Sequence, residues 1–157
     1  MSCTEIYEFQ ETGVGEHTTD IDNAWRGSMF IWRSLGDKYI SDSLNLSRLE
    51  DMKEIWRLYK DSRLSRSEKI VLLSTFDYAF VKREELPEVI EAFKEFIREF
   101  YSDNLEEQIN AMKQIYEEGK TYCIGWCQTS VSSFLYDYDM SEGKHWFVME
   151  EEELKNV

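Results

Sequence analysis

The sequence predicts one α+β domain spanning residues 1–157, with about five helices packed on a small, mainly antiparallel sheet. Three observations predict it. The chain has 157 residues, the size of one ordinary domain, and a chain this long buries a core without staples. Hydrophobic residues make up 42% and aromatics 15%, too rich in large apolar side chains for a disordered chain. Apolar residues recur at helical spacing in several segments that alternate with short β-rich runs, with no internal repeat or linker.

Cys3 to Phe9 carries β-rich residue types and reads as a first strand. Gln10 to Asp20, with two glycines and many polar residues, reads as a loop. Asp22 or Asn23 caps the next helix, whose Trp25, Met29, Trp32, Leu35 and Tyr39 form one apolar stripe. Such a stripe at helical spacing is read first as core. Ser47-Arg48-Leu49-Glu50 fits a capping box and opens a helix to about Asp61. A second box, Ser65-Arg66-Ser67-Glu68, opens a shorter helix through Leu73. Tyr78 to Val81 reads as a strand.

Leu86 to Tyr101 is a helix that carries Pro87 in its first turn, where the missing N–H costs nothing. Its apolar stripe is Leu86, Ile90, Phe93, Ile97 and Phe100. Its acidic stripe is Glu84, Glu88, Glu91, Glu95 and Glu99, on a different face. A further helix runs from Asp103 or Asn104 to Glu118, closed by Gly119. Thr121 to Cys127 and His145 to Met149 read as strands, and the strands near both termini are expected to pair with the Thr121–Cys127 segment.

Charge narrows the function. Lys and Arg number 18 against 32 Asp and Glu, a net of −14. Direct nucleic-acid binding requires cations to neutralise phosphates, and anionic lipid repels an acidic surface; neither is the expected partner. A basic protein surface is attracted instead. The charge is uneven. Residues 84–157 hold 6 Lys/Arg and 18 Asp/Glu, a net of −12, against −2 for residues 1–83.

Three cysteines imply no disulfide framework. No apolar run is long enough to span a membrane, and the N-terminus lacks a basic segment before an apolar one. The expected compartment is the cytoplasm.

Motifs for chemistry are weak. A metal centre would need Cys3, Cys123, Cys127 and His145 to converge, and free cysteines serve more often as buried small hydrophobes. Gly13-Val14-Gly15 lacks the third glycine of a dinucleotide loop. No cofactor, metal or catalytic residue is assigned. An alternative reading is a small-molecule-binding protein or small enzyme with a pocket near His17 and the segment Trp126, Cys127, Gln128, Thr129 and Ser130, which sets polar groups beside an aromatic strand.

The acidic stripe is the feature with the clearest functional content. Like charges one turn apart repel, by roughly 0.2–0.5 kcal/mol per pair, so stability alone favours mixed signs. Carboxylates about 5.4 Å apart are comparable in spacing with successive phosphates of a nucleic-acid strand. Size, charge and tryptophan content resemble those of the small acidic inhibitors made by phages and mobile elements, a likeness of composition. The resulting expectation is a non-enzymatic interaction protein. Its Glu84, Glu88, Glu91, Glu95 and Glu99 would dock on the basic groove of a nucleic-acid-handling protein.

Overall fold

The structure is a computed structural model and describes residues 3–9, 15–22, 27–76, 79–128 and 144–145. The chain runs β1 (Cys3–Phe9), β2 (Gly15–Asp22), α1 (Ser28–Tyr39), α2 (Leu49–Arg57), α3 (Arg66–Leu73), β3 (Ala79–Lys82), α4 (Leu86–Phe100), α5 (Glu106–Glu118), β4 (Cys123–Gln128) and β5 (Lys144–His145). Five helices pack on the sheet, as the periodicity predicts. The strand order is β2-β1-β4-β3-β5. The first four strands are antiparallel neighbours, and the two-residue β5 joins β3 in parallel. Pairing of the N-terminal strand with β4 is as expected, whereas β5 pairs with β3 instead.

The core explains the arrangement. In β1, Thr4 and Ile6 are buried while Glu5 and Tyr7 are half-buried, so the strand sets one face inward. In β4, Cys123, Ile124, Gly125 and Trp126 are all buried, as a strand between two neighbours and covered on both faces must be. The inward residues join the helices in one cluster that includes Ile6, Ile21, Val81, Ile124 and Trp126 with Trp32, Ile55, Leu72 and Phe93. Polar contacts fix the seams. The Thr4 and Ser28 hydroxyls lie 3.2 Å apart, between β1 and α1. Trp32 Nε1 donates to Thr75 Oγ1 at 2.8 Å, between α1 and the end of α3.

Four local expectations are corrected. Residues 15–20, expected within a loop, form β2 together with Ile21 and Asp22. Thr18, Thr19 and Ile21 suit a strand, and the exposed Thr18 and Asp20 with the buried Ile21 suit a sheet edge. Register passes from Ile6 opposite Thr19 to Tyr7 opposite His17, leaving Thr18 as a bulge whose hydroxyl donates to Glu8.

Asp22 therefore ends a strand instead of capping α1, which begins after Gly27. Asn23 and Trp25 lie outside the described residues. Ser47 does not cap α2 either. Arg48 occupies that position without a side-chain bond, because Asn45 Oδ1 draws the Ser47 N–H into a local turn at 2.9 Å. Finally, α2 stops at Arg57 and gives way to a 3₁₀ turn over Leu58–Lys60, short of Asp61. Tyr78 and residues 146–149, assigned to strands from the sequence, lie outside the described residues.

The helix that carries the acidic stripe is firmly seated. Leu86, Val89, Ile90, Phe93 and Phe96 of α4 are buried, each worth roughly 1.5–3 kcal/mol in removal from water. Phe96 meets Phe30 of α1 edge-on at 6.1 Å and lies 4.4 Å from Phe100. This packing sets which side of α4 faces outward.

Candidate interaction surface

Glu84, Glu88, Glu91, Glu95 and Glu99 all reach solvent, as their spacing predicts. Cations from α4 itself and from two other helices stand beside them. Arg66 of α3 pairs with Glu88 at 2.5 Å, and Lys94 pairs with Glu91 at 2.9 Å. Lys38 of α1 reaches Glu99, and the Ser67 hydroxyl donates to Glu95. The reason is topological. α3 packs along α4, which brings Arg66 beside the stripe. Glu95 meets a hydroxyl, while Arg66, Lys94 and Lys38 pair with the ladder and Arg98 and Lys113 also act on the Glu91 charge. The Arg66 and Glu88 side chains remain 61% and 47% exposed. Pairs so open to water contribute little to stability.

At the α1–α3–α4 junction lies a group that sequence reasoning missed. Glu68 is 3% exposed at its side chain and receives three donors. Its own N-cap Ser65 N–H gives 2.8 Å, and Lys38 Nζ gives 3.0 Å. The Tyr39 hydroxyl gives 2.7 and 2.8 Å to the two oxygens. Burial works against the carboxylate charge, but these donors hold its pKa below the usual glutamate value. For Lys38 too burial opposes the charge, and the bonds to Glu99 and Glu68 hold the ammonium above its ordinary value. Burial and the bond to Glu68 push the Tyr39 phenol up. The capping box in the sequence pointed to the Ser65 bonds; nothing local pointed to Lys38 or Tyr39, which are about thirty residues away. The node locks three helices together and displays Lys38 at the end of the stripe.

The residues of the alternative pocket sit on two strands, β2 and β4, with β1 between them. His17 lies in β2 opposite Tyr7, and Tyr7 lies opposite Gly125 in β4. Trp126 faces Ile6, is 1% exposed, and belongs to the core. Cys127 and Gln128 occupy β4 opposite Glu5 and Thr4. Thr129 and Ser130 lie outside the described residues.

The cysteines do not gather around one point. Cys123 and Cys127 are four residues apart along β4, about 13 Å at strand rise, too far to share a tetrahedral metal. Cys3 stands opposite Asp22. Burial pushes the Cys123 thiol up to about 11. Among the described residues no group of three or more His, Cys, Asp or Glu side chains could hold a metal ion. None of the described helices is long and apolar enough to cross a membrane.

Fold and surface together define a small α+β protein whose helical layer carries an acidic, solvent-facing ladder on a rigid helix. No protein family, curated protein or solved structure matches the chain.

Proposed function

We propose that this chain is a non-enzymatic acidic interaction protein of the cytoplasm, an inhibitor in the manner of those made by phages and mobile elements. It docks the outer face of α4 on a basic, nucleic-acid-binding groove of a partner protein. The carrying observation is the ladder Glu88, Glu91, Glu95 and Glu99, solvent-facing and spaced by one helical turn on a helix whose inner face is fixed by Phe93 and Phe96. A rigid helix presents its charges without an ordering cost on binding. The surface ion pairs at Glu88 and Glu91 exchange for partner cations at little loss. The net of −12 in residues 84–157 speeds the approach to a cationic groove.

The test is affinity capture from a lysate with identification by mass spectrometry. The wild-type chain is expected to retain a basic nucleic-acid-handling protein, with retention falling as salt rises. The variant E88K/E91K/E95K is expected to lose it. Capture that is unchanged by charge reversal and insensitive to salt would rule the reading out.

A further inference from the structure

Three cations pair with the ladder, and they are held in different ways. Arg66 meets Glu88 and Lys94 meets Glu91 in pairs that stand open to water. Such pairs break at little cost, so a partner's cation can take the place of either. Lys38 is fixed from several sides. Its ammonium donates to Glu99 and, at 3.0 Å, to the buried Glu68. It also lies 4.8 Å from the centre of the Tyr39 ring and 5.8 Å from that of Phe100, whose faces attract a cation.

The difference decides which carboxylates a partner can use. A cation that displaces Arg66 or Lys94 releases a side chain into water. A cation that displaced Lys38 would leave the buried Glu68 carboxylate short of a donor, and an uncompensated buried charge costs far more than an exposed pair returns. Lys38 therefore stays in place, and a second cation brought to Glu99 meets its charge at close range. Glu88 and Glu91 can exchange their neighbours, and Glu95 meets only the neutral Ser67 hydroxyl among the contacts described. Glu99 is taken up within the chain.

We infer that Lys38 is a specificity-determining residue of the docking face. It closes the ladder at Glu99, so that the face takes a row of partner cations on Glu88, Glu91 and Glu95, about 11 Å or two helical turns long, and turns away a row that runs one turn further. This inference rests on the acidic-docking reading and names the part of the face that the partner contacts.

The test uses the full chain and a fluorescently labelled oligoarginine peptide, followed by anisotropy at low salt. E88Q, E91Q, E95Q and E99Q each remove one negative charge, so their long-range attraction for the peptide is the same and only the contact differs. E88Q, E91Q and E95Q are each expected to bind roughly two- to fivefold more weakly than E99Q. The double variant K38M/E68Q keeps the net charge and leaves no buried carboxylate without its donor. It is expected to bind roughly two- to fivefold more tightly than the wild type, and adding E99Q is expected to remove the gain. Loss of packing at the node would not tighten binding. Weakening by E99Q equal to that by E95Q would overturn the inference and leave the docking reading standing. Wild-type affinity in a K38M/E68Q chain that stays folded by circular dichroism would do the same. If that variant fails to fold, the comparison of E99Q with E95Q decides alone. Wild-type affinity in E88Q, E91Q and E95Q alike, or no binding by the wild type, would overturn the docking reading and this inference with it.

Discussion

Lys38 of α1 and Glu68 of α3 form an ion pair at 3.0 Å in which the carboxylate is 3% exposed and the ammonium 40%. The asymmetry decides what the pair does. Glu68 is a buried charge that depends on its donors, whereas Lys38 keeps contact with water and spans from the core to Glu99 on the acidic ladder. The fold and the proposed docking face therefore meet at one side chain.

Removing the Glu68 carboxylate should be costly. Glu68→Ala deletes the acceptor for Ser65, Tyr39 and Lys38 together, and hydrogen bonds to a charged group are worth roughly 1.5–3 kcal/mol each at most. A loss of about 2–3 kcal/mol in urea unfolding is expected, since Lys38 and the Ser65 N–H recover water.

The same group sets a pH dependence. Its folded pKa lies below the ordinary value of 4.5. Its contribution is complete above about that pH and is lost as pH falls through the lowered folded value. Glu68→Gln removes this part of the acid sensitivity. The stability gap between wild type and Glu68→Gln should shrink between neutral pH and the acid limb. A gap that widens on acidification would contradict the geometry.

Ser65→Ala tests the capping box on its own. The Ser65 Oγ accepts from the Glu68 N–H at 3.1 Å. Its loss should cost about 1 kcal/mol, measured by denaturant unfolding. Ser47→Ala should be nearly silent, because that serine makes no cap in the folded chain.

Gly125 leaves space that Phe9 fills. A Cβ at Gly125 would stand 2.8 Å from Phe9 Cε2 and 3.3 Å from the Ala79 carbonyl oxygen. Gly125→Ala should therefore destabilise by roughly 1–3 kcal/mol. Paired with Phe9→Ala, its effect should be less than additive, since the ring is then gone.

The Cys123 thiol, buried and raised to about 11, should resist alkylation at neutral pH until the chain unfolds. Mass spectrometry of iodoacetamide-treated protein checks this, and rapid labelling of Cys123 in the folded chain would contradict it.

Much of this molecule was legible where the signal is local and periodic. The α4 stripe from Leu86 to Phe100, Pro87 in its first turn, the Ser65 box and Gly119 beyond α5 are rules of single helices, and each holds. Failure came where a tertiary choice overrides local chemistry. Residues 15–20 look like a polar loop because an edge strand needs few apolar residues, and only the partner edge of β1 selects the strand. Ser47 matches a cap, yet Asn45 takes its N–H first. The ladder was legible as a spacing. The cations beside Glu88 and Glu99 were not, because Arg66 and Lys38 are brought there by helix packing over 22 and 61 residues. The left-handed turn at Tyr101, φ 50°, had no sequence signal, since tyrosine is a poor residue for that conformation.

The central claim is that the α4 carboxylates occupy a groove made for phosphates, and competition for that groove tests it most directly. Once a captured partner is in hand, its binding to labelled nucleic acid is titrated with wild-type chain and with E88K/E91K/E95K. The account predicts displacement of the nucleic acid by the wild type and none by the variant. A stable ternary complex of partner, nucleic acid and wild-type chain would contradict it.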